Sequence, residues 1–265
     1  MLRPPARPPA CLPAGTVEVT GTPRSTVTAT AGDSAPDNRT ETAINSTDNP
    51  TDATADVVVF GAGGQVGRAV VAEARHRGLT VTAAVRDPAR HADLAGPGVT
   101  LVPCDVTDPA AVAAAARGHA AAVSTVYTPD VPSAEFYPAA ARALVSGLGA
   151  AGVGRLVHVG VATTLETSPG VAVHDDPAFP AAYRAFSLGH AAALDLLRDS
   201  PATLDWVTVT PPLDLDRTAP GTGHYRIGGP QVLGERIAQA DLAVAVTDQL
   251  TGPAARHREQ IAVAA

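Results

Sequence analysis

Gly61, Gly64 and Gly67 stand three residues apart, between the apolar run Val57-Val58-Val59-Phe60 and the stretch Arg68-Ala69-Val70-Val71-Ala72-Glu73-Ala74-Arg75. The first run reads as a short buried strand and the second as a helix. Glycine allows the sharp turn between them and the close approach of another group to the backbone. A helix that opens directly on such a turn presents unpaired N–H groups and the positive end of its dipole. The spacing therefore predicts a cradle for a pyrophosphate, built from Gly61, Gly63, Gly64, Gln65, Val66 and Gly67. The stricter G-x-G-x-x-G spacing would need glycine where Val66 stands.

Arg86 is the second residue that points to chemistry. In dinucleotide sites an acid about 20 positions past the glycines takes the ribose 2′-hydroxyl. Arg86 is 19 positions past Gly67, at the end of the run Leu79-Thr80-Val81-Thr82-Ala83-Ala84-Val85. A guanidinium there matches a 2′-phosphate through paired hydrogen bonds. The expected cofactor is NADP(H) in preference to NAD(H), with Arg90 as a helper. Asp87 leaves NAD open as the alternative.

A third group lies at Tyr183, Ser187 and His190, which share one helical face at i, i+4 and i+7. Ser187 stands four residues after Tyr183, so no cation there lowers the phenol pKa from its usual value of about 10. His190, with an intrinsic pKa of about 6.5, is the alternative proton donor. The same histidine can instead pack beside Phe186 and Leu194. Cys11 and Cys104 are the two cysteines. Their separation makes neither a disulfide framework nor a zinc site, and no metal is expected.

These residues need a frame. Strands are expected at 57–60, 79–85, 99–106, 120–126, 155–159 and 204–209, and helices from 68, over 109–117, 134–151 and 239–250. Strand and helix alternate, which predicts an α/β Rossmann-type doubly wound parallel sheet with right-handed crossovers. Its ligands belong at the carboxyl ends of the strands. Trp206 reads as core. Residues 260–264 either close the sheet or pack as a last strand. Residues 213–236, rich in Gly and Pro, read as a small C-terminal substrate lobe. Residues 1–55 are dominated by Thr, Pro, Ala, Ser, Asp and Asn without a sustained period. They are expected to form a disordered tail before a domain spanning 56–265.

The net charge of −7 argues against nucleic acid or an anionic membrane as partner. No apolar run reaches the roughly 18–20 residues of a membrane span. A cytoplasmic protein acting on a small molecule, as monomer or homodimer, is the expectation.

The order of these motifs is similar to that of the NADH-flavin reductase-like family of NAD(P)H-binding atypical short-chain dehydrogenases. That family is related to biliverdin-IXβ/flavin reductases and NmrA-like proteins, and the resemblance covers about residues 56–264. It implies that Asp105 and Val106 lie beside the adenine ring. Ser124, Thr125 and Val126 then line the cofactor, with Gly160, Val161, Ala162 and Pro211 around its nicotinamide end. Thr164 falls where relatives carry a serine hydrogen-bond donor. Val159-Gly160-Val161-Ala162-Thr163-Thr164-Leu165 departs from the family's V-G-G-A-G-S-L by losing two glycines.

Three functions follow from these readings. The first is an NADPH-dependent oxidoreductase passing hydride to a small conjugated acceptor, such as a flavin, quinone or carbonyl compound. The catalytic residues would then be His190, Tyr183 and Thr164. The second is a non-catalytic NADP(H) redox sensor. The third is a secondary-metabolite tailoring reductase, epimerase or cyclase on the same scaffold.

Overall fold

The computed structural model describes residues 17–18, 56–252 and 255–265. The chain alternates strand and helix as its apolar periods require. Strands β1 (Val57–Phe60), β2 (Val81–Val85), β3 (Val99–Pro103), β4 (Ala121–Ser124), β5 (Arg155–Val159) and β6 (Asp205–Thr210) are joined by crossovers. Helices α1 (Gln65–His76), α2 (Pro109–Ala116), α3 (Ser133–Ala151) and α4 (Ala181–Arg198) lie in those crossovers. After β6 come the short strands β7 (Asp214–Asp216), β8 (Arg226–Gly228) and β9 (Arg236–Ala238), then α5 (Gln239–Asp248) and β10 (Glu259–Ala264).

The strand order is β3-β2-β1-β4-β5-β6-β10-β8. The pairs from β3 through β10 are parallel, and β8 runs antiparallel to β10. This is the doubly wound Rossmann arrangement, in which strand order reverses between β1 and β4. Residues 259–264 thus form a true sheet strand, resolving the two readings left open for that segment. β7 and β9 form a separate parallel pair beside the sheet. That pair gives the 213–236 segment its structure.

Val17–Glu18 pairs antiparallel with Ile227 and Arg226 on the outer edge of β8. These two residues depart from the expected unstructured tail. An open strand edge carries unpaired N–H and C=O groups that an extended segment can satisfy. The rest of that tail lies outside the described residues.

Each face of the sheet buries one core. Val57, Val59, Val123, Val157, Val207 and Ile261 point to the face covered by α1 and α5. Val58, Phe60, Ala122, Leu156 and Trp206 point to the face covered by α2, α3 and α4. Both sets follow the period-2 alternation of strands buried on two sides. Trp206 is 2% exposed, as a core residue should be.

Candidate functional site

Phe60 ends β1, and Gly61 follows with φ of +78°, a left-handed conformation that favours glycine. Its carbonyl accepts from Gly64 N at 3.0 Å and from Thr125 Oγ1 at 3.2 Å. Gly64 is the N-cap of α1, and no side chain caps the helix there. The first N–H groups of α1 are left for a ligand. Gly67 lies beneath the turn, and a Cβ on it would fall 2.2 Å from the Gly61 carbonyl oxygen. It thus packs helix against strand and does not line the cleft. Arg68 secures the turn from outside. Its Nε donates to Gly63 O at 3.1 Å, and its guanidinium pairs with Asp93.

A cleft of about 670 Å³ opens at the carboxyl ends of β1, β2 and β4. Of the residues expected around a cofactor, it is lined by Gly61, Gly63, Gly64, Gln65, Val66, Arg86, Asp105, Val106, Thr125 and Val126. Phe60, Ala84, Val85, Cys104, Val106 and Phe136 give it an apolar wall. Burial pushes the Cys104 thiol up to about 11, so it serves as a small apolar filler. Asp105 Oδ1 accepts from the Thr107 hydroxyl at 2.7 Å and from Thr107 N at 2.9 Å. Those bonds, with the nearby Arg86 charge, hold its carboxyl below the usual range.

Arg86 reaches the cleft from the end of β2 and faces Asp130 at 3.7 Å in a well-exposed pair. Asp87, the alternative ribose ligand, is outside the lining of the cleft. Its carboxylate accepts from Ala89 N at 3.0 Å and caps the short turn Pro88–Leu94. Arg90 lies 3.5 Å from Asp87, with a side chain 83% exposed, and is not part of the lining. In this arrangement the Arg90 side chain is paired to Asp87 and open to solvent at the edge of the cleft.

Ser124 is also displaced from its expected place. It is fully buried and faces the α3–α4 layer, in register with His158, which is in register with Thr208 and through it Gln260. The strand alternation that brings Ala122 into that core brings Ser124 there too. Thr125, one residue on, is the one that reaches the glycine turn.

Gly160, Val161, Ala162 and Pro211 follow β5 and β6, outside the lining of this cleft. The Thr164 hydroxyl is committed inside the protein. It donates to Val161 O at 2.9 Å and accepts from Gln260 Nε2 at 2.8 Å. Gln260 Nε2 also donates to Thr210 Oγ1 at 3.1 Å. Thr164 therefore ties the loop after β5 to β6 and β10.

Tyr183 sits in the first turn of α4 and is 63% exposed, while His190 is 6% exposed. The His190 ring lies 3.7 Å from the Tyr137 ring and 4.7 Å from the Phe186 ring, centroid to centroid. Neither of its ring nitrogens has a hydrogen-bond partner among the described residues. Burial, with buried His158 nearby, pushes its pKa down to about 3. This corrects the expectation of an acid poised near neutral pH, since α3 closes over the ring and keeps it neutral. His158 is likewise lowered by burial, to about 4.

Replacing His190 with Phe is expected to leave turnover and cofactor affinity within about threefold, since an apolar group of similar shape is nearly neutral at such a site. It should also reduce acid sensitivity. The folded-state pKa lies below the unfolded value of about 6.5, so the unfolded chain binds more protons as pH falls below that value. The associated stability is present above about 6.5 and is lost as pH falls toward 3. Melting temperatures at pH 7.5 and 5.0 should therefore differ less in the variant than in the parent. A loss of turnover of 10²-fold or more on a carbonyl compound, the usual scale for a missing general acid, would contradict this placement.

Two basic cleft residues, His91 and Arg217, stand apart from every sequence motif. His91 lies directly over Gly63, with Nδ1 3.3 Å from Arg68. Arg217 arrives from the segment after β7. Neither stands at a motif position, and both depend on how distant segments fold together. Tyr127 and Thr128 also line the cleft, immediately after the Ser124-Thr125-Val126 run. Their adjacency to that run is a signal the sequence did hold.

The apolar wall, the glycine turn without side chains and the free helix N–H groups fit a dinucleotide. No helix among the described residues is long and apolar enough to cross a membrane. Among the same residues, no three or more His, Cys, Asp or Glu side chains cluster as metal ligands.

Comparison with known proteins gives the same picture. The chain is 28% identical over 202 residues to the uncharacterized protein YwnB of Bacillus subtilis, covering 74% of this chain and 92% of that one. Among solved structures, it resembles a Burkholderia pseudomallei protein provisionally named as exported, at 33% identity and a TM-score of 0.70. That match covers 79% of this chain and 99% of the other. A Bacteroides thetaiotaomicron protein provisionally named as an epimerase matches at 27% identity and a TM-score of 0.71, over 80% and 97% of the two chains. A Streptococcus pneumoniae protein provisionally named as an NADH-flavin reductase matches at 26% identity and a TM-score of 0.65, over 79% and 98%. The family model described as NAD(P)H-binding matches residues 61–253, from the first glycine of the turn to beyond α5. With the glycine cradle, the cleft and the strand order in agreement, this chain belongs to the NAD(P)H-binding family of Rossmann-fold proteins.

Proposed function

We propose that this protein is an NADPH-dependent oxidoreductase that passes hydride to a small conjugated acceptor, such as a flavin, a quinone or a carbonyl compound. The observation that carries the reading is Arg86 in the cleft at the end of β2, with Asp87 committed to a cap. A bound nicotinamide supplies the hydride, and the protein supplies binding and orientation. The α1 N-terminus and the glycine turn hold the pyrophosphate, Arg86 takes the 2′-phosphate, and the wall of Val106 and Phe136 receives the adenine.

The proton economy favours a conjugated acceptor. His190 is buried and neutral, the Thr164 hydroxyl is engaged by Gln260, and Tyr183 has no lysine four residues on. A simple ketone needs a positioned acid, whereas a reduced flavin or quinone takes its proton from water.

The test is NADPH oxidation with a panel of free flavins, quinones and ketones, followed by loss of nicotinamide absorbance. Turnover is expected with flavins or quinones and little with ketones. Tight NADPH binding without turnover on any acceptor would replace this reading with that of a redox sensor.

A further inference from the structure

The segment after β7 brings to the cleft a cation that the sequence motifs do not mention. Arg217 lines the cleft together with Gly63, Gly64 and Gln65. No hydrogen bond or ion pair engages its guanidinium among the described residues. Its neighbours, by contrast, are all committed. Asp214 lies 2.7 Å and Asp216 3.4 Å from Arg236. Asp216 Oδ1 also accepts from Thr218 N and Ala219 N, each at 2.9 Å, and from Thr218 Oγ1 at 3.0 Å.

The position of Arg217 along the cleft follows from a chain of contacts. β7 pairs in parallel with β9, and Asp216 stands opposite Ala238. Ala238 is the N-cap of α5, and the next residue, Gln239, donates from Nε2 to Gln65 O at 3.1 Å. Arg217, one residue beyond Asp216, is therefore held beside the first turn of α5 and next to the glycine turn. The far end of the segment is pinned to the same helix. Asp241, 2% exposed, accepts from Thr222 N at 2.7 Å and Gly223 N at 2.8 Å. Both ends of residues 217–223 are thus tied to α5, and α5 is tied to Gln65.

We propose that Arg217 is a cofactor-binding residue that holds the pyrophosphate together with the glycine turn. The α1 N-terminus offers N–H groups, and the guanidinium adds a full charge and paired donors. Arg86 and Arg217 then divide the cofactor. Arg86, at the end of β2, reads the ribose phosphate that only NADPH carries, and Arg217 holds the pyrophosphate that NADPH and NADH share. The assignment rests on the dinucleotide reading of the cleft, and its test separates the two.

The experiment compares the parent protein, Arg217→Ala and Arg217→Lys in titrations with NADPH, NADH and adenosine 2′-phosphate, which lacks a pyrophosphate. Arg217→Ala should weaken NADPH and NADH by the same factor, about tenfold or more, the worth of one charge-assisted contact. Binding of adenosine 2′-phosphate should be unchanged. Arg217→Lys should recover part of the loss, since lysine keeps the charge without the planar fork. The melting temperature without cofactor should not move, because Arg217 is exposed and holds no other residue in place. Unchanged affinity for both dinucleotides in Arg217→Ala would overturn the proposal. So would a loss confined to NADPH and adenosine 2′-phosphate, which would place Arg217 on the ribose phosphate. Failure of the parent protein to bind any dinucleotide would remove the cofactor reading itself, and this assignment with it.

Discussion

Replacing Gly67 with Ala is expected to weaken dinucleotide binding by about 10²-fold and to lower stability by roughly 1–3 kcal/mol, the usual cost of overpacking. The added Cβ would lie 2.2 Å from Gly61 O and 2.8 Å from both Ala62 Cα and Thr125 Oγ1. Two of those atoms are backbone, so no rotamer change relieves the clash, and the first turn of α1 must move away from β1. Gly61 O also accepts from Gly64 N and Thr125 Oγ1, so the shift disturbs the turn as a whole. Losing two charge-assisted hydrogen bonds to the pyrophosphate, at about 1.5 kcal/mol each, corresponds to about 10²-fold in Kd. Gly149 provides the control. It lies exposed in α3, and a Cβ there meets nothing within 4 Å. Gly149→Ala should be neutral or stabilising by up to about 1 kcal/mol. Thermal melts and titration of nicotinamide fluorescence read both effects. Parent-like cofactor affinity in Gly67→Ala would show that the glycine turn does not carry the pyrophosphate.

The second large effect is expected at Arg86. Arg86→Asp should weaken NADPH by about 10²-fold while changing NADH by less than about threefold. Removing a bidentate contact to a phosphate costs about 3 kcal/mol, which sets that scale. The new carboxylate would also join Asp105 in the cleft and Asp130 at its edge, placing negative charge around the ribose phosphate. The existing Arg86–Asp130 pair is well exposed, and such pairs contribute little, so the guanidinium exchanges readily from Asp130 to a phosphate. Equal weakening of NADPH and NADH would move Arg86 off the 2′-phosphate. Together with the Arg217 variants, this substitution separates the contact to the 2′-phosphate from the contact to the pyrophosphate.

The parts of the site that the sequence by itself determined are those in which neighbours in the chain are neighbours in space. The strand, glycine turn and helix start from Val57 to Arg68 lie within a dozen residues. Their backbone geometry follows from β-branched residues, glycines and helix formers in that order. The place of Arg86 in the cleft was legible for the same reason, because a strand end fixes the position of the residue that follows it. The parallel sheet itself followed from six apolar runs separated by helical ones.

Only the tertiary structure decided the rest. His190 keeps its helical face, but whether that face meets solvent or Tyr137 depends on α3 packing against α4. That packing, through burial, turned an expected acid into a neutral core ring. Thr164 is engaged by Gln260, 96 residues away, through the parallel placement of β10 beside β6. Arg90 is adjacent to legible motifs, yet its partner in the fold is Asp87. Arg217 reaches the cleft through the β7–β9 pair and the 174-residue separation spanned by the Gln239–Gln65 hydrogen bond. Periodicity and spacing report which face of an element is apolar and what its ends resemble. They do not report which distant element covers that face, and burial, charge state and access to the cleft are all set by that cover.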